Sequence, residues 1–265
     1  MQRRDCDVIA LQEVRCPRAA LPDNAFGGYA AAYDPGTLAG RNGVAVLTRA
    51  EPAAVRTWQL GDAPVPRELR GFAHEGRFIE VDLADAPLTV ASVYIPKGGL
   101  PVKLQDPRRM REAPDAGAAF ERKRRFLAGF ARQLNQSRRT ARAAGREFLV
   151  MGDLNIAHRG ADVSNWRRQV RNVGFLPTER DWLDGVIGPR TLVDVVRTRH
   201  PDADGPYTWW SWLGQAFEKD TGWRIDYHLA TPGLARRART AWVDKEDHRG
   251  MRISDHAPVV VDYDL

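Results

Sequence analysis

Apolar positions recur along this chain in short runs, and the spacing within each run assigns it to a strand or a helix. "DVIALQEV" (7–14) is apolar and ends in a polar pair, as a buried strand does. "NGVAVLTR" (42–49) follows an Asn-Gly turn signal and predicts a second strand. "RFIEVDL" (77–83) alternates, and "LTVASVYIP" (88–96) is a β-rich run stopped by Pro96. Together these predict a meander of mainly antiparallel strands. Residues 98–118 are rich in Gly, Pro and charge and read as a long loop, which in a compact domain is often functional. From Phe120 to Ala144 the spacing turns helical. Phe126, Leu127, Phe130 and Leu134 mark one face, with Arg and Lys expected opposite, and Gly145 is the expected stop. "EFLVMGD" then predicts a strand with Asp153 at its C-terminal end. Residues 162–187 read as two short helices, the second begun by Pro177 and Thr178. "YTWWSW" (207–212), "WRIDYHLAT" (223–231) and "HAPVVVDYDL" (256–265) predict the last strands. Strands in clusters with helices between them point to a layered α/β domain.

Composition narrows the class. The 265 residues suit one large domain or two small ones, and a hydrophobic fraction of 43% fills a substantial core. No apolar run approaches a membrane span, so no membrane partner is expected. The opening "MQRRDCDVIALQEV" lacks a signal-peptide layout, so a cytoplasmic protein is expected. Cys6 and Cys16 have no metal-ligand spacing and read as two reduced thiols. The net charge is +6, and 35 of the 40 basic residues are Arg. Arginine's planar fork suits phosphate, so the balance fits a polyanion such as nucleic acid. It fits an ordinary solvated surface equally well, and charge alone does not decide the function.

Polar residues collect at strand ends. Glu13 ends the first strand, Tyr94 a later one, and Asp153 and Asn155 follow "LVMG". Asp226 sits inside "RIDY", while Asp255 and His256 open the last strand. Sheet proteins build sites at such positions. Each residue alone has an ordinary structural reading, and spacing by itself names no reaction.

In order, "DVIALQEV", "NGVAVLTR", "VYIPKGG", "MGDLNIAH", "GFLPTERDWLD", "WRIDYHLAT" and "SDHAPVVVDY" resemble the exonuclease III family of AP endonucleases, within the endonuclease/exonuclease/phosphatase superfamily. The resemblance runs from residue 5 to the end. "GDLNIAH" and "SDHAPV" are shared with the wider superfamily, whereas "GFLPTERDWLD" resembles the exonuclease III branch. The implied fold is a four-layer αββα sandwich, with two mainly antiparallel β-sheets face to face and helices outside. The implied reaction is phosphodiester hydrolysis on DNA with Mg²⁺ or Mn²⁺: cleavage 5′ to abasic sites and trimming of 3′ ends. The implied partner is double-stranded DNA with abasic sites or blocked 3′ ends, bound by a monomer.

The resemblance also implies roles. Glu13 matches a metal-ligand carboxylate, with Asp153, Asn155, Asp255 and His256 on the same metal side of the site. Asp153 matches the residue that orients or deprotonates water. Asn155 would donate its amide to a phosphate oxygen while staying neutral, and His256 would bind the scissile phosphate or move a proton. Asp226 would orient the His256 ring and fix its tautomer. Tyr94 matches a tyrosine whose hydroxyl contacts phosphate. Trp209 lies near an aromatic that lines a pocket for an abasic sugar. Lys97 would add charge or be simply solvated, and Asn42 would contact substrate or be only a hairpin turn. Two departures stand out. Trp212 and Leu213 replace a Tyr-Arg pair of the family. A strand and a helix that precede "RRDCDVIALQEV" in the family, the strand carrying a metal-binding Asn, are missing, so the 265 residues are expected to form one domain shortened at its start. Two other readings stay open: a catalytically weakened DNA-binding remnant, and a superfamily phosphodiesterase acting on a small phosphoester.

Overall fold

Side chains alternate across the strands, and this alternation decides which layers face each other. The computed structural model describes residues 5–38, 40–60, 64–108, 110 and 113–265. In chain order it contains β1 (Val8–Gln12), β2 (Ala30–Asp34), β3 (Val44–Thr48), β4 (Ala54–Thr57), β5 (Phe78–Asp82) and β6 (Leu88–Tyr94). Next come α1 (Ala118–Ala143), β7 (Glu147–Asp153), α2 (Trp166–Gln169), α3 (Pro177–Val186), β8 (Val193–Asp194) and α4 (Val195–Arg199). The last elements are β9 (Asp226–Ala230), α5 (Pro232–Ala235), β10 (Ala238–Val243) and β11 (Val259–Tyr263). Six strands form one sheet in the order β4-β5-β6-β7-β9-β8. A second layer consists of the sheet β1-β3-β2 and the separate pair β10-β11.

In β7, Phe148 and Val150 point into one core while Leu149 and Met151 point into another, as a period of two requires. The first core packs the six-stranded sheet against Phe126, Phe130 and Leu134 of α1 and Leu183 and Val186 of α3. The second lies between the sheets, where Val44 and Val46 of β3 meet Ile79, Val81, Val90 and Met151. The outer face of β3, Ala45 and Leu47, is covered by Leu21, Phe26 and Tyr29 from the turn-rich segment between β1 and β2. Two sheets therefore lie face to face with helices on one outer side, which matches the expected sandwich. On the other outer side turns do the covering.

Several sequence expectations change. The four early strands are not one meander, because β1 and β3 belong to the small sheet and β5 and β6 to the large one. "YTWWSW" makes no strand. Only Trp209 forms isolated bridges, to Trp223 and His256. Lys123 is not on the exposed side of α1 but on its buried side with Phe126 and Phe130. The helix ends where expected, with Gly145 at φ 68°. Among the described residues no helix is long and apolar enough to cross a membrane.

The strands β6 and β7 run parallel, and α1 supplies the long crossover that parallel pairing needs. Their register pairs Val93 with Gly152 and Tyr94 with Asp153. Gly152 has φ +141°, and a Cβ there would lie 2.1 Å from the Val93 carbonyl oxygen. Only glycine fits, which explains the Gly of "MGD". Gly152→Ala is expected to destabilise the fold by about 3 kcal/mol or more, since the added atom meets backbone that cannot yield. Chemical denaturation checks this, and a loss below 1 kcal/mol would mean that the two strands can separate at this point.

Candidate active site

The site starts from a level row of strand ends. Tyr94 is the last residue of β6, Asp153 the last of β7 and Asp226 the first of β9. The register pairs Tyr94 with Asp153, and Asp153 with Asp226. Neighbouring strands lie about 4.8 Å apart, so the three residues stand side by side at one edge of the sheet.

Asp153 is held by the turn that follows it. The Asn155 backbone N–H donates to Asp153 Oδ1 at 2.7 Å, and Asn155 Nδ2 donates to Asp153 Oδ2 at 2.9 Å. The same Nδ2 also donates to the Ile95 carbonyl at 3.0 Å. Asn155 has φ 51°, a left-handed conformation that asparagine tolerates well. The two Nδ2 hydrogens thus go to the Asp153 carboxylate and the Ile95 carbonyl, which gives Asp-x-Asn a structural meaning in place of the phosphate contact expected of the Asn155 amide. Burial raises the Asp153 carboxyl to about 7, and the Asp226 charge adds to the rise. His256, the Asn155 N–H and Lys123 oppose it.

Across from this turn, His256 Nδ1 bonds Asp226 Oδ2 at 2.9 Å. Burial lowers the affinity of this imidazole for a proton, but Asp226, Asp153 and Asp255 outweigh burial and hold it at about 10. The ring is therefore cationic at neutral pH, with Nδ1–H donating to Asp226. Thr208 accepts at Oγ1 from the backbone N–H groups of Ile225 and Asp226 and so fixes the start of β9. Trp209 donates from Nε1 to Asp255 Oδ2 at 2.9 Å. Asp255 is thereby tied to the aromatic wall, and Trp210 behind it is core.

Glu13 comes from the other layer. It follows β1 with φ 54°, and its carboxylate accepts from the Tyr94 hydroxyl and from Arg15. Burial, and then the bond to Glu13, push the Tyr94 hydroxyl well above its usual range. Asn42 is left-handed, φ 55°, and its carbonyl accepts from the Arg15 N–H at 2.9 Å, so it pairs by backbone with the segment that carries Glu13. The Lys97 side chain is exposed.

Glu13, Asp153 and Asp255 offer the oxygen donors that a hard divalent cation takes. Among the described residues, however, no three His, Cys, Asp or Glu side chains are grouped closely enough to hold a metal ion. Four of the five residues expected to bind metal are of these types, and they form no such group of three. In His256, Nδ1 is already bonded to Asp226. Glu13 fits best: its side chain is 39% exposed, which leaves room for water to complete a cation's shell.

Two buried charge clusters escaped sequence reasoning. Lys123 pairs with Glu179 at 2.7 Å beneath the Asp153 turn. Arg224 bonds Asp162 at 2.8 Å and grips both oxygens of Asp194, at 3.1 and 2.7 Å, just before β9. Each charge sits in an apolar run or next to a recognised motif residue, and no local pattern separates it from a solvated charge.

The pair His256–Asp226 makes stability depend on pH. The folded imidazole titrates near 10, above the ordinary value of about 6.5. Its contribution is fully present below about pH 6.5 and is lost as pH rises through about 10. The melting temperature of metal-free Asp226→Asn is therefore expected to lie furthest below wild type at the low end of this window, with the gap closing towards pH 10. A gap that does not vary over this range would mean that the pair carries no net charge interaction.

Comparison with known proteins finds similarity over nearly the whole chain. An "Exodeoxyribonuclease" of Bacillus subtilis is 27% identical over 259 residues, covering 98% of this chain and 88% of the relative. "DNA repair nuclease APEX1" of Danio rerio is 28% identical over 269 residues, covering 98% of this chain and 74% of the relative. Among solved structures, a 3′-5′ exonuclease from Neisseria meningitidis superposes with a TM-score of 0.78 at 25% identity, covering 98% of this chain and 90% of that one. An AP endonuclease from Archaeoglobus fulgidus shares the fold, with a TM-score of 0.80 at 24% identity over 100% of this chain and 91% of that one. A family model described as "Endonuclease/Exonuclease/phosphatase family" matches residues 1–256, and on that span the chain belongs to this family.

Proposed function

We propose that this protein is a divalent-metal-dependent DNA nuclease that cuts on the 5′ side of abasic sites and trims blocked 3′ ends. The observation that carries the reading is the Asp153–Asn155 turn paired in register with Asp226, whose partner is a cationic His256. This sets an aimed carboxylate beside a proton-carrying ring, the pair that hydrolysis of an anion needs. Relatives named as DNA repair nuclease and exodeoxyribonuclease support DNA as the substrate, as does a basic, Arg-rich chain.

In this reading Asp153 orients the attacking water and accepts its proton. Burial raises this carboxyl above the usual carboxylate range, which makes it a stronger base than an ordinary aspartate. His256 donates from Nε2 to a phosphate oxygen, and Asp226 keeps the ring cationic and correctly turned. The Tyr94 hydroxyl, pinned by Glu13, faces the phosphate from the other side of Asp153. Trp209 walls the pocket for a sugar that lacks its base. Glu13, with water, would hold Mg²⁺ or Mn²⁺. The cation would offset charge on the phosphate and on the leaving oxygen.

A duplex with one abasic analogue tests the activity. Cleavage immediately 5′ of the lesion, leaving a 3′-hydroxyl, is expected with Mg²⁺ and not with chelator. Hydrolysis of an inositol phosphate with none of DNA would move the protein to the small-phosphoester reading.

The roles can be tested separately. Asp153→Asn and His256→Ala are each expected to lower kcat by about 10²–10⁴-fold, the usual contribution of a positioned acid or base. The double variant should fall well short of the product of the two losses, because both groups serve one step. Near-normal rates in either folded single variant would reassign the residue.

A further inference from the structure

One buried charge beneath the site has no part in the steps above. Lys123 is 3% exposed. Its Nζ donates to the Asn155 carbonyl at 2.8 Å, to the Lys97 carbonyl at 3.1 Å and to Glu179 Oε1 at 2.7 Å. Three N–H groups meet three acceptors, so the ammonium is saturated. Lys123 stands three residues before Phe126 and seven before Phe130, on the buried face of α1. An apolar side chain there would avoid the desolvation of a charge.

The acceptors are informative. Lys97 lies in the loop that leaves β6 just after Tyr94, and Asn155 lies in the loop that leaves β7 just after Asp153. Gly98, at φ +81°, folds against the lysine stem so closely that a Cβ there would lie 2.5 Å from Lys123 Cδ. Asn155 passes the constraint on, because its two donors hold both oxygens of Asp153. Glu179 is fixed in turn, since its Oε2 accepts from the Leu176 N–H at the start of α3. The counter-charge therefore cannot drift.

We propose that Lys123 is a positioning residue for the reaction: its buried ammonium clamps the loops after β6 and β7 together from below and so holds Asp153 at its working angle, with Glu179 as the anchored counter-charge. This rests on the reading of Asp153 as the water-orienting carboxylate.

The test separates positioning from mere support. Lys123→Met removes the clamp and strands the Glu179 charge, so it lowers both melting temperature and activity. Lys123→Met/Glu179→Gln removes both charges and keeps an acceptor for the Leu176 N–H. The double variant is expected to recover most of the lost melting temperature. Its kcat on the abasic duplex should stay roughly 10–100-fold below wild type, the scale of a small misplacement of a reacting group. KM should change by less than about threefold, as for an interaction made in the transition state. Hydrogen exchange should quicken at residues 95–99 and 153–157 and stay unchanged in β6 and in β7 ahead of Asp153. Recovery of kcat together with melting temperature would overturn the proposal. If Lys123→Met alone does not fold, the double variant carries the comparison. If the wild type cuts no DNA, the nuclease reading falls by itself. The exchange measurement then decides on the clamp, and unchanged protection in those two segments rejects it.

Discussion

Backbone hydrogen bonds between β6, β7 and β9 put Tyr94, Asp153 and Asp226 at one height, and everything else in the site is arranged around that row. The constraint is strict, because slipping a strand by one residue turns every side chain to the opposite face. Such a slip in β7 would send Phe148 and Val150 into the inter-sheet core and aim Asp153 away from Asp226. Burial on both faces of β7 thus fixes the register, and the register fixes the spacing of the three strand-end side chains. Gly152 belongs to the same constraint, since it lets β7 close on the Val93 carbonyl one residue before the aspartate.

Electrostatics then gives the row two different members. Asp153 and Asp226 are neighbouring carboxylates, yet only Asp226 has a cation bonded to its oxygen. Asp153 is buried and shares its oxygens with neutral Asn155 donors, so it holds a proton more readily than an ordinary aspartate. One carboxyl is buried among neutral donors, and the other is bonded to the imidazole that it helps to keep charged. The environments separate the two roles, although the residue type is the same.

Much of this was legible in the chain, for reasons that differ by element. β1, β3, β5, β6, β7, β9 and β11 announced themselves through Val, Ile and Leu runs. β2 ("AAAYD") and β10 ("ARTAWV") did not, because Ala and Arg carry little β signal and tertiary pairing supplies what propensity lacks. "YTWWSW" misled in the other direction. Its rings suit a strand, but its backbone bonds are shared out among Trp223, Asp255 and Ala257, not run along one continuous partner. At the site, strand-end polar residues were readable because they close apolar runs. Lys123 and Glu179 were not, since periodicity treats a charge within an apolar face as a solvated one, and only long-range contacts reveal it as buried.

The site draws on residues separated by most of the chain. Glu13 bonds Tyr94 across 81 positions, and His256 reaches back 30 to Asp226. During synthesis the segments emerge in order, and such distant contacts close late. Until residue 256 has left the ribosome, Asp153 has no imidazolium opposite it, so a nascent chain holds an incomplete strand-end cluster. A fragment cut before His256 would lack the imidazolium opposite Asp153 for the same reason, whereas one that loses only β11 would keep it.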